Sequence, residues 1–227
     1  MAESFEDKYG LDIDKITEAV KFASYARPSQ SSQDAKTDEE KTQANLEQQM
    51  YGNITDQAKK ANIEGMAGGF ATAVSLARAQ WESEGRPKDS SGRNSVNYDG
   101  SVLVLTTEDD NIRPGYVVAS AAGQNNGATL GTGFTSANCV DIWQNIFQQP
   151  PGITNAIATL NDEPTIDYLA AKSGTDASTL CHFYLKATLD KNGDNYTDPG
   201  TVTDTGNSNS FTYQPANSSV VVYINNN

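Results

Sequence analysis

The chain has no apolar run long enough to cross a membrane, because none of its segments reaches about 18 consecutive apolar residues. It also lacks a basic segment followed by an apolar one, so the sequence as written contains no secretory signal peptide. Its 227 residues are enough for one ordinary domain plus an extension. These absences exclude a membrane-spanning helix and direct attention to the globular part of the chain.

Positive charge is scarce. The chain has 16 Lys and Arg residues against 29 Asp and Glu residues, which gives a formal net charge of −13 at pH 7. So acidic a chain repels the phosphate backbone, and we therefore predict no nucleic-acid partner. The same balance favours solubility, cation binding and a secreted setting.

Residue types that commonly carry catalysis are also few. His182 is the only histidine, and it follows Cys181 in a predicted strand. Neighbouring side chains in a strand point to opposite faces, so the geometry is poor for a catalytic Cys–His pair of these two residues. The sequence contains no GxSxG, HExxH, P-loop or GxGxxG pattern. We therefore predict that the protein is not an enzyme.

The two cysteines, Cys139 and Cys181, do not form a CxxC pair, which argues against a zinc or redox motif. Two interpretations remain open from the residues alone. Both cysteines are buried free thiols in a cytosolic protein, or they form one disulfide in an oxidising compartment.

A long amphipathic helix is predicted over residues 46–85. Apolar residues recur there at steps of three and four, which is the spacing of one helix face: Ile63, Met66, Phe70, Val74, Ala77 and Trp81. Gly85 and Pro87 are typical of the helix end. Gly65, Gly68 and Gly69 each cost about 1 kcal/mol relative to Ala, so we expect the close approach of another chain element to offset them.

Residues 86–227 are predicted to form a sheet with loops. Strands are expected at 101–106, 115–120 and 181–189, with a hairpin of 210–214 and 219–224, and a short helix begins near Ser136. One long helix followed by antiparallel strands predicts an α+β fold. Residues 1–45 are polar, with a weak stripe of Ile13, Ile16 and Val20, and are predicted to be a leader or linker without a core.

The segment DKNGDNYTD, residues 190–198, is a candidate calcium site. Oxygen donors recur at every second position, with a glycine turn between them: the side chains of Asp190, Asn192, Asp194 and Asp198, and the carbonyl of Tyr196. Ca²⁺ takes six to eight oxygen ligands, and such a loop brings several to one point. The glycine position and the lack of a later Glu depart from the EF-hand pattern, and a polar hairpin loop without metal is the alternative.

Several segments together resemble a known family. The stretch KANIEGMAGGFATAVSLARAQWESEG is similar to the second half of the long helix of type IV pilins, nearest to the mannose-sensitive haemagglutinin pilins of Gram-negative bacteria. NYDG, CVDIWQNIFQQPPG, CHFYL and FTYQPANSSVVVY extend the resemblance over about residues 46–224, although it is loose between 100 and 135.

The resemblance implies the pilin fold, in which a long N-terminal helix packs on an antiparallel sheet and a disulfide, here Cys139–Cys181, closes the C-terminal region. It implies a structural subunit of an extracellular cell-surface pilus that supports adhesion to host or abiotic surfaces, biofilm formation or motility. Gly65, Gly68 and Gly69 are then expected to pack against other subunits. The alternative for the glycines is contact with a side chain of the same subunit's sheet.

One departure from the family is large. Type IV pilins begin with an apolar half-helix of about 25 residues, and residues 1–45 occupy its place but are polar. We expect a recombinant fusion at this end, or a natural polar leader, and a monomeric chain that does not assemble by itself. The alternative functions are a calcium-stabilised secreted binding module and a pseudopilin of a type II secretion system, each with a pilin-like fold.

Overall fold

The computed structural model describes residues 38–123, 130–203 and 208–225, with side chains described from residue 42 onward. The chain divides into two units, Met1–Gln48 and Gln49–Asn227. The described end of the first unit is helical. The stripe of Ile13, Ile16 and Val20 lies outside the described residues. No helix of the described part combines the length and the apolar character that crossing a membrane requires.

The long helix, α1, spans Asp38–Ser83 and has 46 residues. It begins eight positions before the predicted residue 46 (46 − 38) and ends two before residue 85. The early start escaped sequence analysis because residues 38–45 are polar and give no apolar stripe, although they contain no helix breaker. Gly85 adopts a positive φ of 79° directly after the helix, as expected for a residue that ends it.

Among the described residues, two further α-helices, two short 3-10 helices and ten strands follow α1. The α-helices are α2, Ser136–Ile146, and α3, Ile157–Asp162. The first sheet has three strands in the order β1–β2–β3: Ser95–Tyr98, Ser101–Leu105 and Val117–Ser120. The second has the order β10–β9–β6–β5–β4: Ser219–Tyr223, Ser210–Gln214, Leu180–Leu185, Ile166–Ser173 and Gly152–Thr154. A small hairpin pairs β7, Lys191–Asn192, with β8, Asn195–Tyr196.

The α+β class is confirmed, with one correction to the sheet. Across the described residues, the strand pairs are antiparallel except β4 with β5, which is parallel, so the larger sheet is mixed. Sequence analysis missed β1, β4, β5 and α3. The residues Tyr168–Ala170 of β5 are buried in succession, so this strand shows no alternation of apolar and polar residues. The predicted hairpin of β9 and β10 is confirmed, joined by residues 215–218.

The core forms where α1 meets the larger sheet and α2. Phe70 of α1 is fully buried, and its ring lies 5.4 Å from Phe183, 5.6 Å from Phe211 and 5.1 Å from Tyr213, measured between centroids. On its other side it contacts Trp143, with a centroid separation of 6.5 Å. The predicted apolar face of α1 is therefore the face that packs on the sheet. Of its six residues only Met66 is not fully buried.

A disulfide joins Cys139 of α2 to Cys181 of β6, with the two Cα atoms 5.5 Å apart. The pairing implied by the family resemblance is therefore present, and both cysteines are fully buried. The bond closes a loop with a sequence separation of 42 residues, which removes much of the freedom of the unfolded chain. The disulfide holds α2 against the larger sheet, with the side of α2 that carries Cys139 and Trp143 facing the sheet.

A buried carboxylate ties α2 to the smaller sheet. Asp141 accepts hydrogen bonds from the Ser120 amide at 2.5 Å and the Ser120 hydroxyl at 2.9 Å, at the end of β3. Asn145 donates to the same carboxylate at 3.1 Å. The carboxylate also lies where a side chain on Gly123 would begin, so only glycine fits there. Charge-assisted hydrogen bonds of this kind stabilise a buried carboxylate and fix α2 in place.

Candidate functional site

The side of α1 opposite Phe70 carries small residues. A helix turns about 100° per residue, which places this set about half a turn away from Ile63 and Phe70. We name these residues the small-residue face: Ala61, Gly65, Gly68, Thr72, Ser75, Leu76 and Ala79. All of them are exposed. Sequence analysis found only the glycines of this set, although the helical period that located the core face could also have located the rest.

The small-residue face contains no charged residue, although the chain has a net charge of −13 and the exposed Glu64 lies at the edge of the face, as far around the helix from Phe70 as Leu76. Its two hydroxyl protons are used within the helix. Thr72 donates to the Gly68 carbonyl at 2.9 Å, and Ser75 donates to the Ala71 carbonyl at 2.8 Å. Another helix could therefore approach this face closely without burying a charge or an unpaired hydroxyl proton.

Side chains at these glycine positions would meet almost nothing in the described part of the chain. A Cβ atom added to Gly65 or Gly68 would meet nothing within 4 Å, and one on Gly69 would lie 3.7 Å from the Phe147 ring, an ordinary contact. The sheet of the same chain therefore does not explain Gly65 or Gly68. Their cost in helix stability is not offset by any close approach within the described residues, so any offset must come from outside this part of the chain.

The predicted calcium loop is a two-stranded hairpin. Lys191 pairs with Tyr196 and Asn192 with Asn195, and Gly193 in the turn adopts a positive φ of 64°. Asp190, Asn192 and Asp194 are exposed. Within residues 38–123, 130–203 and 208–225, no group of three or more His, Cys, Asp or Glu side chains is arranged to hold a metal ion. Asparagine and carbonyl oxygens can also bind calcium, so the site stays a prediction.

Asn161 contacts this hairpin through two hydrogen bonds. The Asn161 side chain accepts a hydrogen bond from the Tyr196 amide at 2.7 Å and donates one to the Tyr196 carbonyl at 3.2 Å. The carbonyl expected to bind calcium therefore already has a partner. The ammonium group of Lys191 lies 4.4 Å from the centroid of the Tyr196 ring, a favourable cation–π distance. Asp198 accepts a hydrogen bond from the Gly200 amide at 2.8 Å.

His182 lies on the face of β6 that points away from α1. Cys181 and Phe183 point into the main core, and His182 stacks against Tyr184 with the ring planes 5° apart. Its Nε2 atom lies 2.7 Å from the Ser173 hydroxyl, and its Nδ1 atom is buried without a hydrogen-bond partner among the described residues. Burial lowers the pKa of His182 from 6.5 to about 4. The ring is therefore neutral near pH 7 and only 3% exposed, which suits a structural role.

Comparison with protein-family models, with curated proteins and with solved structures finds no match for this chain. The site therefore has to be judged from its own geometry. The structure places Gly65 and Gly68 on the exposed small-residue face, places Gly69 next to the Phe147 ring, and joins Cys139 to Cys181. Asn161 was not foreseen because it contacts Tyr196 from 35 positions away, a separation that no local pattern indicates.

We expect Gly65→Ala and Gly68→Ala each to stabilise the chain by up to about 1 kcal/mol, because Ala favours an exposed helix interior and has free space there. Chemical denaturation measures the free energy of unfolding. The matched control is Gly115→Ala, which should destabilise the chain, since Gly115 has a φ of 95° and its Cβ would lie 2.5 Å from the Trp81 ring. Loss of stability in both helix variants would reveal a contact within the chain.

The calcium prediction is tested by thermal unfolding in millimolar Ca²⁺ against a chelator, for the wild type and for Asp194→Ala. A bound ion raises the melting temperature with its concentration, and the variant should lose that response. If the wild type melts at the same temperature in both conditions, the loop is a hairpin without a calcium site, held by the hydrogen bonds between Asn161 and Tyr196.

His182 should make stability fall at low pH. Its pKa in the folded chain, about 4, is below the ordinary 6.5, so its contribution is complete above pH 6.5 and is lost as the pH falls through 4. The loss should reach about 2–3 kcal/mol between pH 7 and pH 4. His182→Gln removes this titration but leaves all carboxylates, so the difference in unfolding free energy between wild type and variant isolates the effect. A pH-independent difference would contradict it.

Proposed function

We propose that this chain is the globular domain of a type IV pilin, a structural subunit of filaments on the bacterial surface and not an enzyme. The observation that carries the proposal is the asymmetry of α1. One side packs on the sheet through Phe70, while the small-residue face on the opposite side contains no charged residue, consists largely of small residues and is exposed, with Glu64 at its edge. A helix that had only to cover a sheet would be expected to carry charged residues outward at these positions.

The resemblance in sequence points in the same direction. The segments that are similar to pilins include both cysteines and the strands β6, β9 and β10. The disulfide between Cys139 and Cys181 is of the kind that persists in oxidising compartments, which supports an extracellular location. In this proposal, the partners are other subunits of the same filament. Adhesion, biofilm formation or motility follow from the filament and not from a pocket on this chain.

The small-residue face gives the proposal a specific contact. Helices approach closely where glycine and alanine replace larger side chains, and dispersion contacts then stabilise the pair. Gly65 and Gly68 are one turn apart on α1, so two helices could meet at these positions. A neighbouring subunit would then pack against Gly65 and Gly68, which have no such packing partner among the described residues. This contact is a physical reason to retain glycines that weaken the isolated helix.

The proposal is tested in the bacterium that encodes the chain. Antibodies against the purified protein should label surface filaments in immunogold electron microscopy, and deletion of the gene should remove those filaments. Replacing Gly65 and Gly68 by Leu should abolish filaments, because a neighbouring helix could no longer approach. The matched control is Ser91→Leu, an exposed position after α1, which should leave assembly intact.

The purified chain must first be shown to keep its fold. The double Leu variant should give the circular dichroism spectrum and melting behaviour of a folded protein, since nothing lies within 4 Å of either added Cβ. Filaments that persist after deletion of the gene would contradict the pilin assignment. Normal filaments from the double Leu variant would instead contradict the role of the small-residue face.

A further inference from the structure

Strand β10 is an edge strand of the larger sheet. It pairs with β9 from Ser219 to Tyr223, and among the described residues no other strand pairs with it. In a strand, alternate residues direct their amide and carbonyl groups to opposite sides. Two or three of the five residues of β10 therefore present backbone donors and acceptors to the open side.

This edge lacks the features that usually prevent strands from pairing between molecules. The segment Ser219–Tyr223 contains no charge and no proline, and its register with β9 is continuous, without a bulge. Val221 is 43% exposed on this strand. The opposite edge strand, β4, is only three residues long and is preceded by two prolines. Short length and proline are common protections of an edge, and β10 has neither.

Charge also favours contact between two copies at this strand. The chain has a net charge of −13, yet residues 205–227 contain no Asp, Glu, Lys or Arg. Apart from the small-residue face of α1, two copies that approach through the rest of this acidic surface bring carboxylates together, which is unfavourable. At β10 the approaching surfaces are neutral over the whole length of the strand. A partner of different sequence would need an uncharged, unpaired edge strand of its own. A second copy of this chain has such a strand, because it also carries β10.

We propose that β10 pairs antiparallel with β10 of a second copy, about a two-fold axis at Val221. In this register Val221 lies opposite the partner's Val221, Val220 opposite the partner's Val222, and Ser219 opposite the partner's Tyr223. This register places odd-numbered residues opposite odd-numbered residues and even opposite even. Side chains that share a face of the sheet in one copy therefore continue on the same face in the other copy. A symmetric contact of this kind closes on itself as a dimer.

The side chains fit this pairing. Val220 and Val222 pack against the main core of their own chain, so the core-facing side of the sheet continues from one copy to the next. Val221 and Tyr223 lie on the other face, where directly opposed β-branched side chains stabilise a strand pair. The pairing extends beyond the proposed pilin function and does not depend on it. It differs from the monomer expected for the isolated chain.

Sedimentation velocity over a range of protein concentrations tests the dimer. The wild type should change from monomer to dimer as concentration rises, and Val221→Lys should raise the dissociation constant about tenfold or more, because two lysines would meet at the axis. The matched control is Val102→Lys. Val102 is 44% exposed, about as much as Val221, but it lies in β2, the middle strand of the smaller sheet. It should leave dimerisation unchanged.

Cysteine crosslinking tests the register. Under mild oxidation, Val221→Cys should form a crosslinked dimer, while Tyr223→Cys on the same face should not, because each copy of residue 223 lies opposite residue 219. A wild type that stays monomeric at every concentration would overturn the proposal. So would a Val221→Lys variant that dimerises like the wild type, or equal crosslinking of the two cysteine variants.

Discussion

The contact of Phe70 with the aromatic residues around it is the interaction on which the rest of the structure depends. Its ring lies between the strands that carry Phe183 and Phe211 and the helix that carries Trp143. Burying one such side chain stabilises the fold by about 1.5–3 kcal/mol, and the tilted and edge contacts between rings add to this. The disulfide between α2 and β6 keeps Trp143 beside Phe70, so the covalent link and the apolar core support the same arrangement.

Because α1 uses only one side for this core, the chemical character of its other side is free for another purpose. Most of the surface of this acidic chain should repel a second copy at moderate distance, since like charges dominate the field. Two regions differ: the small-residue face of α1 and the uncharged residues after Asp204. When two acidic molecules meet, repulsion disfavours the orientations that bring their carboxylates together. The orientations that bring neutral regions together are then favoured, even where the attraction between those regions is modest.

The second face of the larger sheet is organised by polar contacts as well as by apolar ones. Tyr184 donates a hydrogen bond to the Val202 carbonyl at 2.9 Å, which connects this face of the sheet to the loop after β8. His182 and Ser210 lie on the same face, and the His182 Nδ1 atom and the Ser210 hydroxyl are buried without a hydrogen-bond partner among the described residues. Buried polar atoms without partners are costly, so these two atoms subtract from the stability that the apolar contacts of this face supply.

The sequence by itself determined the core face of α1, the β9–β10 hairpin and the class of the fold. Each of these depends on a local period or a turn of a few residues, which the chain carries within one segment. The start of α1 at Asp38 was hidden because its first residues are polar on all sides. Tertiary structure alone decided the parallel pairing of β4 with β5. A strand of three residues is too short to show an alternation of apolar and polar residues, so it is recognised as a strand only by its pairing with a neighbour. It also decided that Asn161 holds the hairpin and that a Cβ atom on Gly65 or Gly68 would meet no other described part of the chain within 4 Å. Such facts depend on distances between segments far apart in sequence, and these distances exist only after the core around Phe70 has formed.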